Sequence, residues 1–565
     1  MKPSSKRLPL AASLLALAIA AALPLAHAAD APTFDPQRLS EKVKVLSSDE
    51  FLGRGPAEEG ETKTVAYLIE QMKAAGLQPG GDLKDGQRAW TQAVPLLRAQ
   101  ITGQPTISVN RDGKARPLAQ GDDVAVRAAL NGQKHVAIQD APLVFVGYGV
   151  KAPERNWDDF KGVDLKGKVA VVLINDPDFE RSDVETYKGD FGGKAMTYYG
   201  RWTYKFEEAA RQGAAGLLIV HETAPASYGW ATVKNSNTNT MFDVVRENPA
   251  GSHPALEGWI QYDVAADLFK QAGLDLAALK KQAQTREFKP VELKGATFTA
   301  DYDVDAKVIT SQNVVGRVEG RKRPDEHVVY SAHWDHLGVG QPDAKGDTIY
   351  NGAVDNATGT AALLELGRAF AEAKPRPERS LLFLAVTAEE KGLLGSEYYA
   401  SSPLYPLGKT VGVINMDGFS PWGPARNFSI SGSARLELLD RLIATASKWN
   451  LAFTSDTRPE AGSFFRSDHF PFAKRGVPAI SYGTGNDLVD GGVEAGKKIQ
   501  ETYTAQRYHQ PADQWEASWP FTGLARDLSI LYTLGDELAN SKAWPNWSED
   551  SEFRGARDAS ADDRR

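Results

Sequence analysis

Five short segments of the chain carry side chains that bind metals or move protons. His333 and Asp335 stand in SAHWDHLG, directly after the apolar run Val328, Val329 and Tyr330. Asp355 lies between Gly352 and Gly359 in NGAVDNATG. Glu389 and Glu390 follow the apolar run from Leu381 to Val386. Asp417 follows KTVGVINM, and His509 stands in YHQPAD. Three of these segments are apolar runs ending in an imidazole or a carboxylate. In open α/β sheets ligands gather at the carboxyl ends of strands, so the five segments read as one site.

The residue types set the chemistry. The chain has no cysteine, which excludes disulfides, thiolate metal sites and cysteine nucleophiles. A metal must then use His, Asp and Glu. With nine histidines in the whole chain, two inside HWDH are a concentrated signal. His333 and Asp335 share a strand face at a period of two. Asp335 either fixes the tautomer of His333 or ligates directly. Asp355 either caps a helix entry or bridges two cations with its two oxygens. Glu389 and Glu390 are adjacent, and neighbouring carboxylates repel unless a cation or a proton compensates them. Beside the other four segments they divide the labour: one binds metal and the other handles the proton of water.

Regular α/β structure must position these groups. Strands are expected at VVYSA, SLLFLAV, KTVGVIN and VPAISYG, and helices at 359–373, 434–448 and 521–540, the last with Leu524, Leu528, Leu531 and Leu538 on one face. Strands alternating with helices predict a mostly parallel mixed sheet sandwiched by helices.

A chain of 565 residues exceeds one ordinary core. Its formal net charge of -8, without a basic block, argues against nucleic acid as a partner. Residues 1–28 read as a signal peptide, with basic Lys2, Lys6 and Arg7, an apolar stretch from Leu10 to Leu23 and a small-residue cleavage site at Ala26 to Ala28. An exported protein, periplasmic or extracellular and free of the membrane after cleavage, is expected. Residues 36–90 open the folded part of the chain. Within them, Asp49, Glu50 and Arg54 read as a solvated loop capping a helix. Residues 91–294 form a smaller α/β insert with its core at about 140–290, and its 222–258 stretch, with Trp230, Asn235, Asn237 and Asn239, reads as a long loop overhanging the substrate. Residues 295–545 hold the site. Residues 546–565 are charged and poor in apolar side chains, which predicts disorder.

Taken in order, HWDH, NGAVDNATG, TAEEKGLLGSEYYA, NMDG and YHQPAD resemble family twenty-eight of the metallopeptidases: secreted co-catalytic di-zinc aminopeptidases and their glutamate carboxypeptidase-like relatives. LSSDEFLGRGP and AYLIEQMKAAGLQPGGD are similar to the start of that fold. GYG at 147–149 and LKGKVAVVL at 165–173 resemble a protease-associated domain. The resemblance implies two zinc ions, other divalent metals remaining open. It places His333 and Asp417 on one ion, Glu390 and His509 on the other, and Asp355 between them. Glu389 becomes the general base and Asp335 supports His333. The Asp355–Asn356 peptide is implied to be cis. Asp468, His469 and Tyr482 are implied to support the site or touch substrate, with His469 as a rival to His509. Peptides are the implied partners, and the oligomeric state stays open. Exopeptidase hydrolysis from the amino end is the leading reading, through a water between cations about 3.5–4 Å apart. A carboxypeptidase would need an arginine for the terminal carboxylate, and Arg426, Arg458 and Arg466 lie in the downstream loops. A receptor-like ectodomain without catalysis and a single-zinc glutaminyl cyclase are the remaining alternatives, and a complete ligand set argues against both.

Overall fold

The apolar runs that end in chemistry become neighbouring strands. The computed structural model describes residues 31–183 and 189–564, so the expected signal segment lies outside the described residues. Every residue of Arg379–Val386 and of Thr410–Met416 is buried, the pattern of strands covered on both faces. Arg323–His333 lies between these two strands and runs parallel to both. Ala479–Thr484 continues the parallel block beyond Thr410–Met416. Helices Thr358–Glu372 and Thr522–Asn540 pack against this block. Their buried faces include Leu363 and Leu366 on the first, and Leu524, Leu528, Leu531 and Leu538 on the second, at the spacing expected of amphipathic helices.

A second parallel block is built from His135–Phe145, Val169–Leu173, Gly216–His221 and Leu256–Gln261. One long strand joins the two blocks. Val291–Val318 pairs antiparallel with Arg379–Val386 through its last residues and with His135–Phe145 through its first. Thr91–Arg111 runs antiparallel along most of its length. The result is a continuous mixed sheet, mostly parallel within each block, as the fold class predicted. The boundary expected at 294/295 falls inside this strand, so the insert shares backbone pairing with the rest of the sheet.

Three expectations are corrected. The 222–258 stretch is not a long loop: it holds helices Thr223–Ala226 and Trp230–Asn237 and strand Met241–Val244. Trp230 donates its indole N–H to the Gly121 carbonyl (2.9 Å). The charged tail is folded as well, with helix Arg554–Ala559 and buried Trp547, Phe553 and Arg557. Trp547 donates to the Gly476 carbonyl (3.0 Å) and Arg557 to that of Thr410 (3.0 Å). A few aromatic and arginine anchors outweigh the polar composition that suggested disorder. Lastly, Arg54 is not part of a solvated loop, as its role at the site shows.

Candidate metal centre

The strand ends converge on one cluster. His333 is the last residue of its strand, Asp417 follows Met416 on the next one, and Glu389 and Glu390 lie just past Val386. Asp355 lies in the Ala353–Ala357 turn that enters helix Thr358–Glu372, and the Asp355–Asn356 peptide is cis. The turn opens at Gly352 with φ 56°, where a side chain would run into the Asp355 carbonyl and the His336 ring. His509 follows helix Gly492–Gln506.

Asp355 occupies the middle. Its Oδ1 is 3.3 Å from His333 Nε2, and its Oδ2 is 3.3 Å from His509 Nε2. On one side His333 Nε2 also approaches Asp417 Oδ1 at 3.1 Å. On the other side His509 Nε2 approaches Glu390 Oε2 at 3.1 Å. The two oxygens of one carboxylate thus face two separate imidazole–carboxylate pairs. Ligand atoms of His333, Glu389 and Asp417 lie within 4.8 Å of one another, as do those of His336, Asp355 and Glu390. A donor set of imidazole and carboxylate without sulfur fits zinc and several other divalent ions. The structure therefore brings together all five residues implied as ligands, with Glu389 beside them.

The supporting contacts fix this geometry. His333 Nδ1 lies 3.1 Å from the Asp335 carbonyl oxygen and 3.8 Å from its carboxylate. Asp335 thus holds the imidazole through its main chain, with Nδ1–H donating and Nε2 left for a metal. Its carboxylate is engaged elsewhere, accepting the backbone N–H of Glu389 (3.1 Å) and of Glu390 (3.4 Å). Ser467 donates to Asp417 Oδ2 (2.6 Å), and Asn415 donates to Ser467 (2.7 Å). Asp513 accepts the backbone N–H of Val354 and Asp355, at 3.1 Å each.

Arg54 was missed as a site residue. It is 1% exposed. Its guanidinium donates to the carbonyls of Trp334 (2.8 Å), Leu46 (2.8 Å), Asn351 (2.6 Å) and Gly352 (2.8 Å). It thereby joins the His333 strand end to the Asp355 turn. Burial lowers its pKa to about 10 against the pull of Asp335, Asp355, Asp513 and Glu390, so it remains charged at neutral pH. The sequence signal was available in GRGP, but an arginine in a polar, turn-rich stretch looks the same whether solvated or buried. His336 was also missed as a separate group, although HWDH contains it.

The charges divide the two glutamates. Burial, together with the charges of Asp417, Glu390 and Asp468, pushes the Glu389 carboxyl well above the usual range despite His333. Burial and Asp355 also push Glu390 upwards, but His336 and His509 outweigh them and hold it at about 2. One glutamate thus favours a proton and its neighbour favours the charge.

Of the three supporting candidates, Asp468 fits. It is fully buried, accepts Ser396 Oγ (2.6 Å), and is pushed up to about 7 chiefly by burial. His469 is fully buried with its ring edge-on to Phe464 (centroids 4.6 Å apart), and burial holds it down at about 3. His509, not His469, faces Asp355 and Glu390. Tyr482 is a core residue instead of a substrate contact: it is fully buried and stacked on Phe428 with centroids 5.7 Å apart. Arg426 is committed to the loop carbonyls of Leu488 (2.7 Å) and Val489 (2.8 Å).

A helix-covered, mostly parallel sheet with clustered imidazoles and carboxylates at its strand ends defines an α/β protein with a metal-type centre. Residues 313–532 match the model of Peptidase family M28. The chain is 37% identical over 192 residues to Aminopeptidase NAALADL1 of Mus musculus, covering 32% of this chain and 24% of the relative. It is 31% identical over 138 residues to the Glutamate carboxypeptidase 2 homolog of Caenorhabditis briggsae, covering 24% of this chain and 16% of the relative. The match thus spans a quarter or less of the length of either relative. Among solved structures, the aminopeptidase from Aneurinibacillus sp. strain AM-1 is similar at 19% identity and a TM-score of 0.45, with 90% of this chain and 94% of that chain covered.

Proposed function

We propose that this protein is a metal-dependent exopeptidase that removes residues from the amino end of peptides, with two zinc ions at the site. The observation that carries the reading is the placement of Asp355, whose two oxygens face His333 and His509 separately. His333 and Asp417 would hold one ion, Glu390 and His509 the other, and Asp355 both. When bound, such a pair supplies Lewis-acid polarisation of the scissile carbonyl and a more acidic water. Glu389 receives the proton of the attacking water and delivers it to the leaving amine. Asp335 and Ser467 keep His333 and Asp417 oriented, so little reorganisation accompanies the reaction. The basic, apolar and small-residue pattern of residues 1–28 supports export, with the mature chain beginning at or close to Ala29.

One observation favours cleavage from the carboxyl end as a second reading. Arg201, from the insert, is 8% exposed, and its buried Nε has no hydrogen-bond partner among the described residues. The Arg466 charge, one residue before Ser467, depresses it further after burial. Two neighbouring guanidiniums suit a carboxylate. Digestion of a peptide library decides which end shortens. Full activity after removal of all metal by a strong chelator would rule out both readings.

A further inference from the structure

The two oxygens of Glu390 face different histidines. Oε2 is 3.1 Å from His509 Nε2, and Oε1 is 2.6 Å from His336 Nδ1. The proposed ligand set uses the first contact and leaves the second unexplained. His336 is fully buried, and among the described residues neither of its ring nitrogens has a hydrogen-bond partner. A buried imidazole without a partner bears its full desolvation cost. Although Nδ1 is close to Oε1, the pair is not aligned for a hydrogen bond. Two such atoms at this separation without a hydrogen bond between them suit co-ligands of one cation.

The surroundings agree. Ligand atoms of His336, Asp355 and Glu390 lie within 4.8 Å of one another. The His336 ring stands edge-on to that of His509, with centroids 5.7 Å apart and planes at 67°. Room for the ring exists because residue 352 is glycine. Arg54 holds that glycine's carbonyl, and Asp513 holds the backbone of the following turn.

We propose that His336 is a fourth protein ligand of the cation held by Asp355, Glu390 and His509. The inference rests on the two-metal reading. It makes the two positions unequal: two imidazoles serve one ion and a single imidazole, His333, serves the other. Borderline ions such as zinc and cobalt favour nitrogen donors, so the position with His336 fills first and resists chelators longer.

The test uses the full protein loaded with Co(II), wild type and His336→Asn. In proton NMR of the dicobalt form in water, ring protons of each ligated imidazole are shifted far outside the normal window. The variant should lose the shifted signals of one imidazole and keep those of His333 and His509. Metal analysis after dialysis against a graded chelator should show the second ion bound at least about tenfold more weakly in the variant. Because His336 is buried, the wild-type spectrum serves by itself if the variant does not fold: signals from three imidazoles support the proposal. Two bound ions with signals from only two imidazoles overturn it and leave the two-metal reading standing. A wild-type protein that takes up no metal overturns that reading and the proposal with it.

Discussion

Arg54 Nη2 donates a 2.8 Å hydrogen bond to the carbonyl of Gly352, the residue that opens the Asp355 turn. The same guanidinium holds Trp334, between His333 and Asp335. Arg54→Ala takes the guanidinium donor from the buried carbonyls of Leu46, Trp334 and Asn351, leaves that of Gly352 with the Ala357 N–H alone (3.2 Å), and removes the cation among four acidic groups. The expected loss is about 3–5 kcal/mol of stability, the usual effect of breaking a buried charged network. Arg54→Lys should recover only part of it, since an ammonium cannot reproduce the planar fork. Denaturant unfolding of the three proteins checks this, and an Arg54→Ala protein as stable as wild type would contradict the clamp.

The adjacent glutamates should separate in kinetics. Glu389→Gln should keep its metal and lose roughly 10²-fold or more in kcat, because an amide cannot accept the proton. KM should change far less. Glu390→Gln should lose metal. Metal content and steady-state rates of each variant decide the matter, and the reverse pattern would exchange the two roles.

A pH dependence unrelated to the metal centre is expected from His253. It lies between Glu257 Oε1 (2.7 Å) and Asp243 Oδ2 (3.0 Å), with Arg246 on Asp243 and Arg127 on Glu257. Burial disfavours the charged imidazole, but Glu257 and Asp243 outweigh it and raise its pKa to about 9. A raised pKa stabilises the fold fully below the unfolded value of roughly 6.5, and this contribution is lost as pH rises through about 9. The order of magnitude is about 3 kcal/mol. Unfolding free energy measured from pH 6 to 10 should fall in the wild type and fall less in His253→Gln. Parallel curves would show that the pair adds nothing.

The tail should contribute to stability. Trp547 is 2% exposed and Phe553 is 6% exposed. Trp547→Ala should cost about 3–5 kcal/mol, as for other buried aromatic truncations. A melting temperature unchanged by this substitution, or by removal of residues 547–565, would return the tail to the disorder that its composition suggests.

Much of the centre could be read from the order of the residues. His333, Asp417 and the two glutamates follow mainly apolar runs, the pattern of strands buried on both faces. Asp355 and His509 were legible from their place in the same series of motifs. Local chemistry also announced the amphipathic helices, because Leu524, Leu528, Leu531 and Leu538 repeat at helical spacing.

Long-range pairing decided the rest. Whether Asp335 supports His333 by carboxylate or carbonyl depends on where the Glu389 backbone passes, 54 residues away. Whether Arg54 is solvated or buried depends on strand ends some 280 residues distant. Tyr482 shares its apolar neighbourhood in sequence with any pocket-lining tyrosine, and only packing against Phe428 placed it in the core. The tail illustrates the same limit: two aromatics and an arginine bind it to residues 476 and 410, which composition cannot register. Residue type and spacing determine which groups can do chemistry. Only the tertiary structure determines which faces which, because contacts between segments far apart in sequence leave no local periodicity to read.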